Sequence, residues 1–137
     1  MKNGNLAPGM HLASLAQIEQ RFTHTEHRKK LFEGLKKLSS HLKEAGCNTL
    51  FVDGSFITNK EVPGDYDALW DPAGVTNKID PDLLQRNRIE QRREKYLGDV
   101  FVHVPELGGF PHLKHFQEDK DDLSPKGIIK VDLRKPI

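Results

Sequence analysis

A leucine-spaced helix followed at once by an apolar strand is the sequence feature that most constrains the fold. Four leucines recur at intervals of four, three and four residues, which predicts one apolar face on a helix that ends before Gly46. They are Leu31, Leu35, Leu38 and Leu42. Residues 49–52 form a compact apolar run just after this glycine, as a buried strand does. We therefore expect a helix layer packed on a sheet.

Two helix starts precede the leucines. Ser14 is a candidate N-cap for a short helix that runs to Phe22. Thr23 with Glu26 three residues later is typical of a capping box, which would open the leucine-rich helix. Residues 1–13 are rich in Gly, Pro and Asn and show no period, so an extended N-terminal arm is expected there.

The remaining strands are marked by short runs of characteristic pattern. Residues 65–70 begin by alternating polar and apolar side chains, as a half-exposed strand does. Residues 99–104 and 127–133 are apolar runs of strand length, and residues 112–117 favour one or two helical turns between them. The order predicts an α+β fold, with helices packed against one sheet, in a single domain over residues 1–137.

A second long helix is predicted between the strands at residues 65–70 and 99–104. Pro81 is suited to the first turn of a helix, so the helix is expected to run from about Asp82 to Tyr96. Gly98 would close it, because glycine readily takes the left-handed conformation that ends many helices.

Composition indicates a soluble cytoplasmic protein. The hydrophobic fraction is 36% and the charged fraction 30%, and no apolar run approaches the roughly 20 residues of a membrane helix. The formal net charge of +1 gives the molecule no strong overall attraction to nucleic acid or anionic lipid. The single cysteine, Cys47, cannot form an internal disulfide, and its place at a helix-to-strand junction favours buried packing over a role as nucleophile.

The chemistry of the chain concentrates in residues 54–67, GSFITNKEVPGDYD. A turn that contains Gly54 and Ser55 can present backbone N–H groups and a hydroxyl to a phosphate. Asp65 and Asp67 lie two residues apart on a predicted strand, so both carboxylates are expected on one face. Like charges so close repel each other, and a cation would relieve the repulsion.

Oxygen ligands of this kind suit Mg²⁺ or Mn²⁺, which take one or two carboxylates together with water and nucleotide phosphate oxygens. A third carboxylate is needed to hold a second metal ion. Asp99, at the start of the next strand, is the candidate, and Asp132 in the last strand is the reserve.

The Gly-Ser turn, nine further residues and then Asp65-Tyr66-Asp67 resemble the signature of the DNA polymerase beta-like nucleotidyltransferase superfamily. Four segments also look like parts of a group of small bacterial proteins, and this resemblance spans almost the whole chain. They are GNLAPG, AGCNTLFVDGSFITNKEVPGDYDALWDPAGV, KYLGDVF and HFQEDKDDLSPKGIIKVDL.

The resemblance implies a nucleotidyltransferase-like mixed sheet that transfers a nucleoside monophosphate from an NTP to an acceptor: a protein, an RNA or a small molecule. It implies that Asp65, Asp67 and Asp99 ligate the metal, and that Gly54 and Ser55 hold the terminal phosphates of the nucleotide. Lys60 is placed to reach the leaving pyrophosphate. In such a reaction the acceptor attacks the α-phosphate in line and two metal ions stabilise the entering and departing oxygens.

Two departures from the superfamily pattern qualify this implication. Asp53 precedes the Gly-Ser turn where relatives usually have an apolar residue, so it would be either a further ligand or a source of repulsion. The chain also lacks an obvious helical partner domain, so a homodimer or another protein would complete the cleft. The alternative is an inactive nucleotide-binding or partner-binding module, for example half of a toxin-antitoxin-like pair.

Three other features have a functional and an ordinary interpretation. Residues 86–95 are rich in arginine and could bind an RNA acceptor, but pairs such as Glu90 with Arg93 favour a solvated helix face. His112 and His115 have a spacing that suits zinc, yet no third ligand is evident, which favours a surface pair. Trp70 is expected in the core, with base stacking as the alternative.

Overall fold

The structure is a computed structural model that describes residues 9–53, 66–85, 87–102 and 127–135. Three α-helices lie within these ranges: α1 (Leu15–Phe22), α2 (Glu26–Glu44) and α3 (Ile89–Tyr96). A single 3-10 turn spans Pro81–Leu83. The five strands are β1 (Gly9–Leu12), β2 (Thr49–Asp53), β3 (Tyr66–Trp70), β4 (Gly98–Val102) and β5 (Gly127–Asp132).

The five strands form one mixed sheet in the order β1-β5-β2-β3-β4. Strand β2 is antiparallel to both of its neighbours, β3 and β5, whereas the outer pairs β1–β5 and β3–β4 are parallel. The parallel pair β3–β4 is connected through α3, as parallel strands require a crossover. The α+β expectation, with helices packed against a mixed sheet, is confirmed.

The main core lies between the helices and one face of the sheet, which we call the helix face. Apolar side chains from α1, α2 and α3 pack there against alternate residues of the strands, including Val52, Ala68 and Val100. Trp70 is fully buried in the same core, as expected. The opposite face, which we call the far face, carries a smaller buried cluster of Phe51, Leu69 and Ile128.

The two N-terminal helices begin at side-chain caps. Ser14 caps α1 as predicted, and Gln17 completes its capping box. The prediction that Thr23 caps α2 is wrong. Thr23 ends α1, and Thr25 caps α2 by accepting a hydrogen bond from the Arg28 N–H at 3.1 Å. Thr23 and Thr25 are equally suited to cap a helix by residue type, so the sequence preference alone does not choose between them.

The segment predicted as one helix from Asp82 to Tyr96 is instead the 3-10 turn followed by α3. The carbonyls of Asp82 and Gln85, which a continuous helix would use, accept hydrogen bonds from Nη1 of buried Arg92. Because these carbonyls are already satisfied by a side chain, the backbone between the turn and α3 need not be helical.

The extended N-terminal arm predicted for residues 1–13 includes a strand. Residues 9–12 form β1, which pairs in parallel with β5 from Gly9 opposite Gly127 to Leu12 opposite Lys130. Short strands with glycine at one end carry little periodic signal, which explains why the pattern did not indicate this one. Residues 1–8 lie outside the described ranges.

The end of α3 is fixed by two close approaches between backbones and rings. A Cβ on Gly34 of α2 would lie 2.1 Å from the Tyr96 carbonyl oxygen, and one on Gly98 would lie 2.6 Å from the Tyr66 ring. The Tyr66 hydroxyl donates to the same Tyr96 carbonyl at 2.6 Å. The left-handed residue that ends α3 is therefore Leu97 (φ 61°) and not Gly98 as predicted, because Gly98 is needed where the Tyr66 ring lies over β4.

Asp80 joins α2, the 3-10 turn and α3. Its N–H donates to His41 Nε2 at 2.8 Å, and its carboxylate accepts from the Asp82 N–H, the Tyr96 hydroxyl and Lys95 Nζ. Burial alone would raise the pKa of Asp80, but these hydrogen bonds outweigh it and hold the pKa below its ordinary value.

Replacing Gly34 with Ala should destabilise the protein. The new Cβ gains about 1 kcal/mol of helix propensity but overlaps the rigid backbone at Tyr96, so we expect a net loss of about 2–3 kcal/mol in the free energy of unfolding. Urea unfolding followed by circular dichroism measures it. Ser40→Ala, at an exposed position of the same helix, is the control and should change stability by less than about 0.5 kcal/mol. A neutral Gly34→Ala would contradict the close approach.

Replacing Asp80 with Ala should lower the free energy of unfolding by about 2–3 kcal/mol at pH 7, since it removes a cap and strands the Tyr96 hydroxyl. Asp82→Ala removes ion pairs whose cationic partners, Arg88 and Lys95, are 41% and 42% exposed, and it should cost less. The folded pKa of Asp80 is depressed, so its contribution is present above the ordinary value near 3.8 and is lost as pH falls through the folded pKa. The difference in the free energy of unfolding between wild type and Asp80→Ala should therefore be smaller at pH 3 than at pH 7. A larger difference at pH 3 would contradict this role of Asp80.

Candidate functional site

Three aspartates lie side by side on adjacent strands. Asp53 at the end of β2 is the register partner of Asp67 on β3, and Asp67 is the register partner of Asp99 on β4. Register partners project to the same face of a sheet, and the chain neighbours Val52, Ala68 and Val100 of these aspartates pack in the core on the helix face. All three carboxylates therefore project to the far face, and we call them the carboxylate row.

The carboxylate row concentrates negative charge in a confined place. Adjacent strands are about 4.8 Å apart, and two charges at about 5 Å repel by roughly 3 kcal/mol at an effective dielectric constant of 20. Asp53 is only 2% exposed, while Asp67 and Asp99 are half-buried. Asp67 has a carboxylate neighbour on each side, so it is the position where a cation would relieve the most repulsion.

Asp99 has a cationic partner on α3. Arg93 Nε donates to Asp99 Oδ1 at 2.6 Å, and the two side chains are 53% and 23% exposed. Charge-assisted hydrogen bonds of this kind are shorter and stronger than hydrogen bonds between neutral groups. The structure therefore supplies one positive group at the β4 end of the row.

The donor chemistry of the row fits a hard divalent cation, because carboxylate oxygens are the ligands that Mg²⁺ and Mn²⁺ prefer. Within the described ranges, however, no three His, Cys, Asp or Glu side chains are grouped so that they could hold a metal ion. The row is thus aligned by the register without closing around one centre, and one oxygen of Asp99 is already engaged by Arg93.

The remaining residues predicted for the site lie outside the described residues. They are Gly54, Ser55, Lys60 and Asp65. The proposed zinc pair, His112 and His115, also lies outside them, as does the predicted helical segment 112–117.

Asp132, the reserve third carboxylate, lies at the other end of the sheet. It is opposite Thr49 in the register, four residues along β2 from Asp53, which corresponds to about 13 Å. Its carboxylate accepts hydrogen bonds from the Arg134 side chain, which hold its pKa down at about 2. The sheet therefore aligns Asp99, and not the reserve candidate Asp132, with Asp67.

The arginine-rich segment is largely engaged within the protein. Arg92 is buried and donates to backbone carbonyls, Arg88 pairs with Asp82, and Lys95 pairs with Asp80 and Asp82. The acidic partners are thus aspartates outside the helix, not only the helix-spaced glutamates expected from the sequence. These contacts leave less of the segment for RNA phosphates than its composition indicates.

Cys47 is 2% exposed at the junction of α2 and β2, and its thiol donates to the carbonyls of Asp71 and Thr49. Burial raises the pKa of the Cys47 thiol more than these hydrogen bonds lower it. The packing role predicted for Cys47 is confirmed by its burial, and a thiol with a raised pKa is a poor nucleophile.

Fold and geometry together define an α+β protein with a helix-backed mixed sheet and a row of carboxylates on its far face. The chain belongs to a family of unknown function (DUF6932), whose family model matches residues 1–132. No curated protein and no solved structure matches the chain. Among the described residues, no helix is both long enough and apolar enough to cross a membrane.

Two residues of the site were not assigned a definite role from the sequence. Asp53 stood out only as a departure from a pattern, and the register now places it in the carboxylate row. Arg93 was counted with a solvated helix face, yet it binds Asp99 six residues further along. No periodic pattern links Arg93 with Asp99, because the end of α3 and the start of β4 lie between them.

Native protein should react slowly with thiol reagents, because Cys47 is buried and carries a raised pKa. We expect its labelling by dithiobis(nitrobenzoate) at pH 8 to be at least about 100-fold slower than in urea, where the thiol is exposed. Since Cys47 is the only cysteine, the absorbance reports it alone. Equal rates in the native and unfolded states would contradict the packing role.

Proposed function

We propose that the protein is a Mg²⁺-dependent or Mn²⁺-dependent nucleotidyltransferase that moves a nucleoside monophosphate from an NTP to an acceptor. The observation that carries the proposal is the carboxylate row: Asp53, Asp67 and Asp99 are register partners on three adjacent strands. One member of the row, Asp53, directly precedes Gly54 and Ser55, the proposed phosphate-binding turn.

The residues divide the work by their chemistry. Asp67, with Asp65 and Asp99, would hold the divalent ion, which when bound neutralises phosphate charge and polarises the reacting phosphoryl group. Gly54 and Ser55 would bind the terminal phosphates through backbone N–H groups and a hydroxyl. The rigid sheet holds Asp67 and Asp99 in fixed register, so the carboxylates are positioned before the nucleotide arrives.

Asp53 adds a carboxylate to the usual arrangement, and its burial gives it a distinct part. A buried carboxylate favours a nearby cation strongly, because the low-dielectric surroundings screen its charge poorly. We assign Asp53 the role of strengthening the field at Asp67 from the β2 side. The proposed reaction also requires an acceptor. It further requires a partner that completes the cleft, which would be a second copy of the chain or another protein.

A nucleotide-binding module without transfer activity is the second candidate. It is favoured by one observation, the Arg93–Asp99 ion pair, which engages the carboxylate that the transfer reaction would need. Titration of ATP, GTP, CTP and UTP with and without Mg²⁺ separates both candidates from an RNA-binding protein, since only a metal–nucleotide site gives metal-dependent binding.

Incubation with each α-labelled NTP, Mg²⁺ or Mn²⁺ and cell extract should transfer label to an acceptor. Asp67→Asn and Asp65→Asn should each reduce the transfer by at least about 100-fold, because they remove a charged metal ligand. Asp132→Asn is the matched control, since it removes a carboxylate at the other end of the same sheet and should leave transfer intact. Labelling that survives Asp67→Asn and Asp65→Asn contradicts the proposal.

A further inference from the structure

The contact between Arg93 and Asp99 bears on how a cation would enter the carboxylate row. The Arg93 guanidinium and the Asp99 carboxylate are 2.6 Å apart, which is at the short end for a charge-assisted hydrogen bond. A divalent ion that binds Asp99 through Oδ1, or through both carboxylate oxygens, needs the oxygen that Arg93 already engages. The guanidinium and the ion therefore compete for one ligand.

The position of Arg93 is set by the anchoring of α3. The neighbouring Arg92 is buried and donates to the carbonyls of Asp82 and Gln85, which fixes the start of the helix. The end of the helix is fixed where the Tyr96 carbonyl contacts Gly34. Arg93 thus extends from a helix held at both ends, with its side chain 53% exposed.

We propose that Arg93 is the resident counter-cation of Asp99 and that a divalent cation displaces it from Oδ1 of Asp99 when it binds the carboxylate row. The inference rests on the proposed function and deepens it, because it names the group that controls metal entry.

The test is Mn²⁺ binding to the purified full chain, followed by the electron paramagnetic resonance signal of the free ion. Arg93→Gln should lower the Kd for Mn²⁺ about 3- to 10-fold, because the competing ion pair is lost. Arg88→Gln is the matched control. It removes a charge near the start of the same helix, but its partner is Asp82, so the Kd should change by less than about twofold.

A double-mutant cycle distinguishes direct competition from a general effect of charge. If Arg93 acts through Asp99, then Arg93→Gln should change the Kd by less than about twofold when Asp99→Asn is already present. An equal gain in both backgrounds would mean that Arg93 acts on the ion through space, and this would overturn the proposal. Circular dichroism confirms that each variant is folded.

The remaining outcomes separate the inference from the proposed function. A wild-type protein that binds Mn²⁺, with an unchanged or higher Kd in Arg93→Gln, overturns the inference and leaves the metal site standing. Binding that appears only in Arg93→Gln supports the inference. An absence of Mn²⁺ binding in wild type and Arg93→Gln alike overturns the metal site, and the inference with it.

Discussion

Gly34 allows the backbone of α2 to touch the end of α3, and this contact sets how closely the two helices pack just before β4 begins. The space that a Cβ would occupy is taken by the Tyr96 carbonyl, which also accepts the Tyr66 hydroxyl. The contact ties α2, α3 and β3 at one point, immediately before β4 begins. β4 starts two residues after Tyr96, with Gly98 opposite Tyr66, and the same register pairs Asp67 with Asp99.

The carboxylates of the row repel one another. Three like charges on adjacent strands destabilise the sheet, and the low dielectric around buried Asp53 screens their repulsion less than water would. Arg93 offsets part of this at the β4 end, and a divalent ion would offset more. Residues that lower the stability of a fold in this way are commonly found where a ligand restores the balance.

Much of the fold could be predicted from the sequence because its signals are local. The leucine spacing, the Ser14 cap and the apolar runs each depend on neighbours within a few residues, and the structure confirms α1, α2, β2 and β5 at nearly the predicted bounds. The errors occurred where a distant group decides. Thr23 and Thr25 are equivalent locally, and the helix break before α3 depends on the Arg92 side chain.

The candidate site divides in the same way. Asp67 and Asp99 were identified from strand pattern and resemblance, but their alignment with Asp53 is a property of the register, which no single strand encodes. Arg93 was missed because its partner lies beyond the end of its own helix.

The order of the strands has a consequence for how the protein is made. β5, the last of the described strands in sequence, lies between β1 and β2, so β1 does not pair with another described strand until β5 has been synthesised. The nascent chain can pack α2 on β2, β3 and β4, but the edge of β2 that pairs with β5 stays unpaired until β5 has been made. Such late, long-range pairing slows folding and leaves an unpaired strand edge during synthesis. We expect a chaperone that shields this edge to reduce aggregation of the nascent chain.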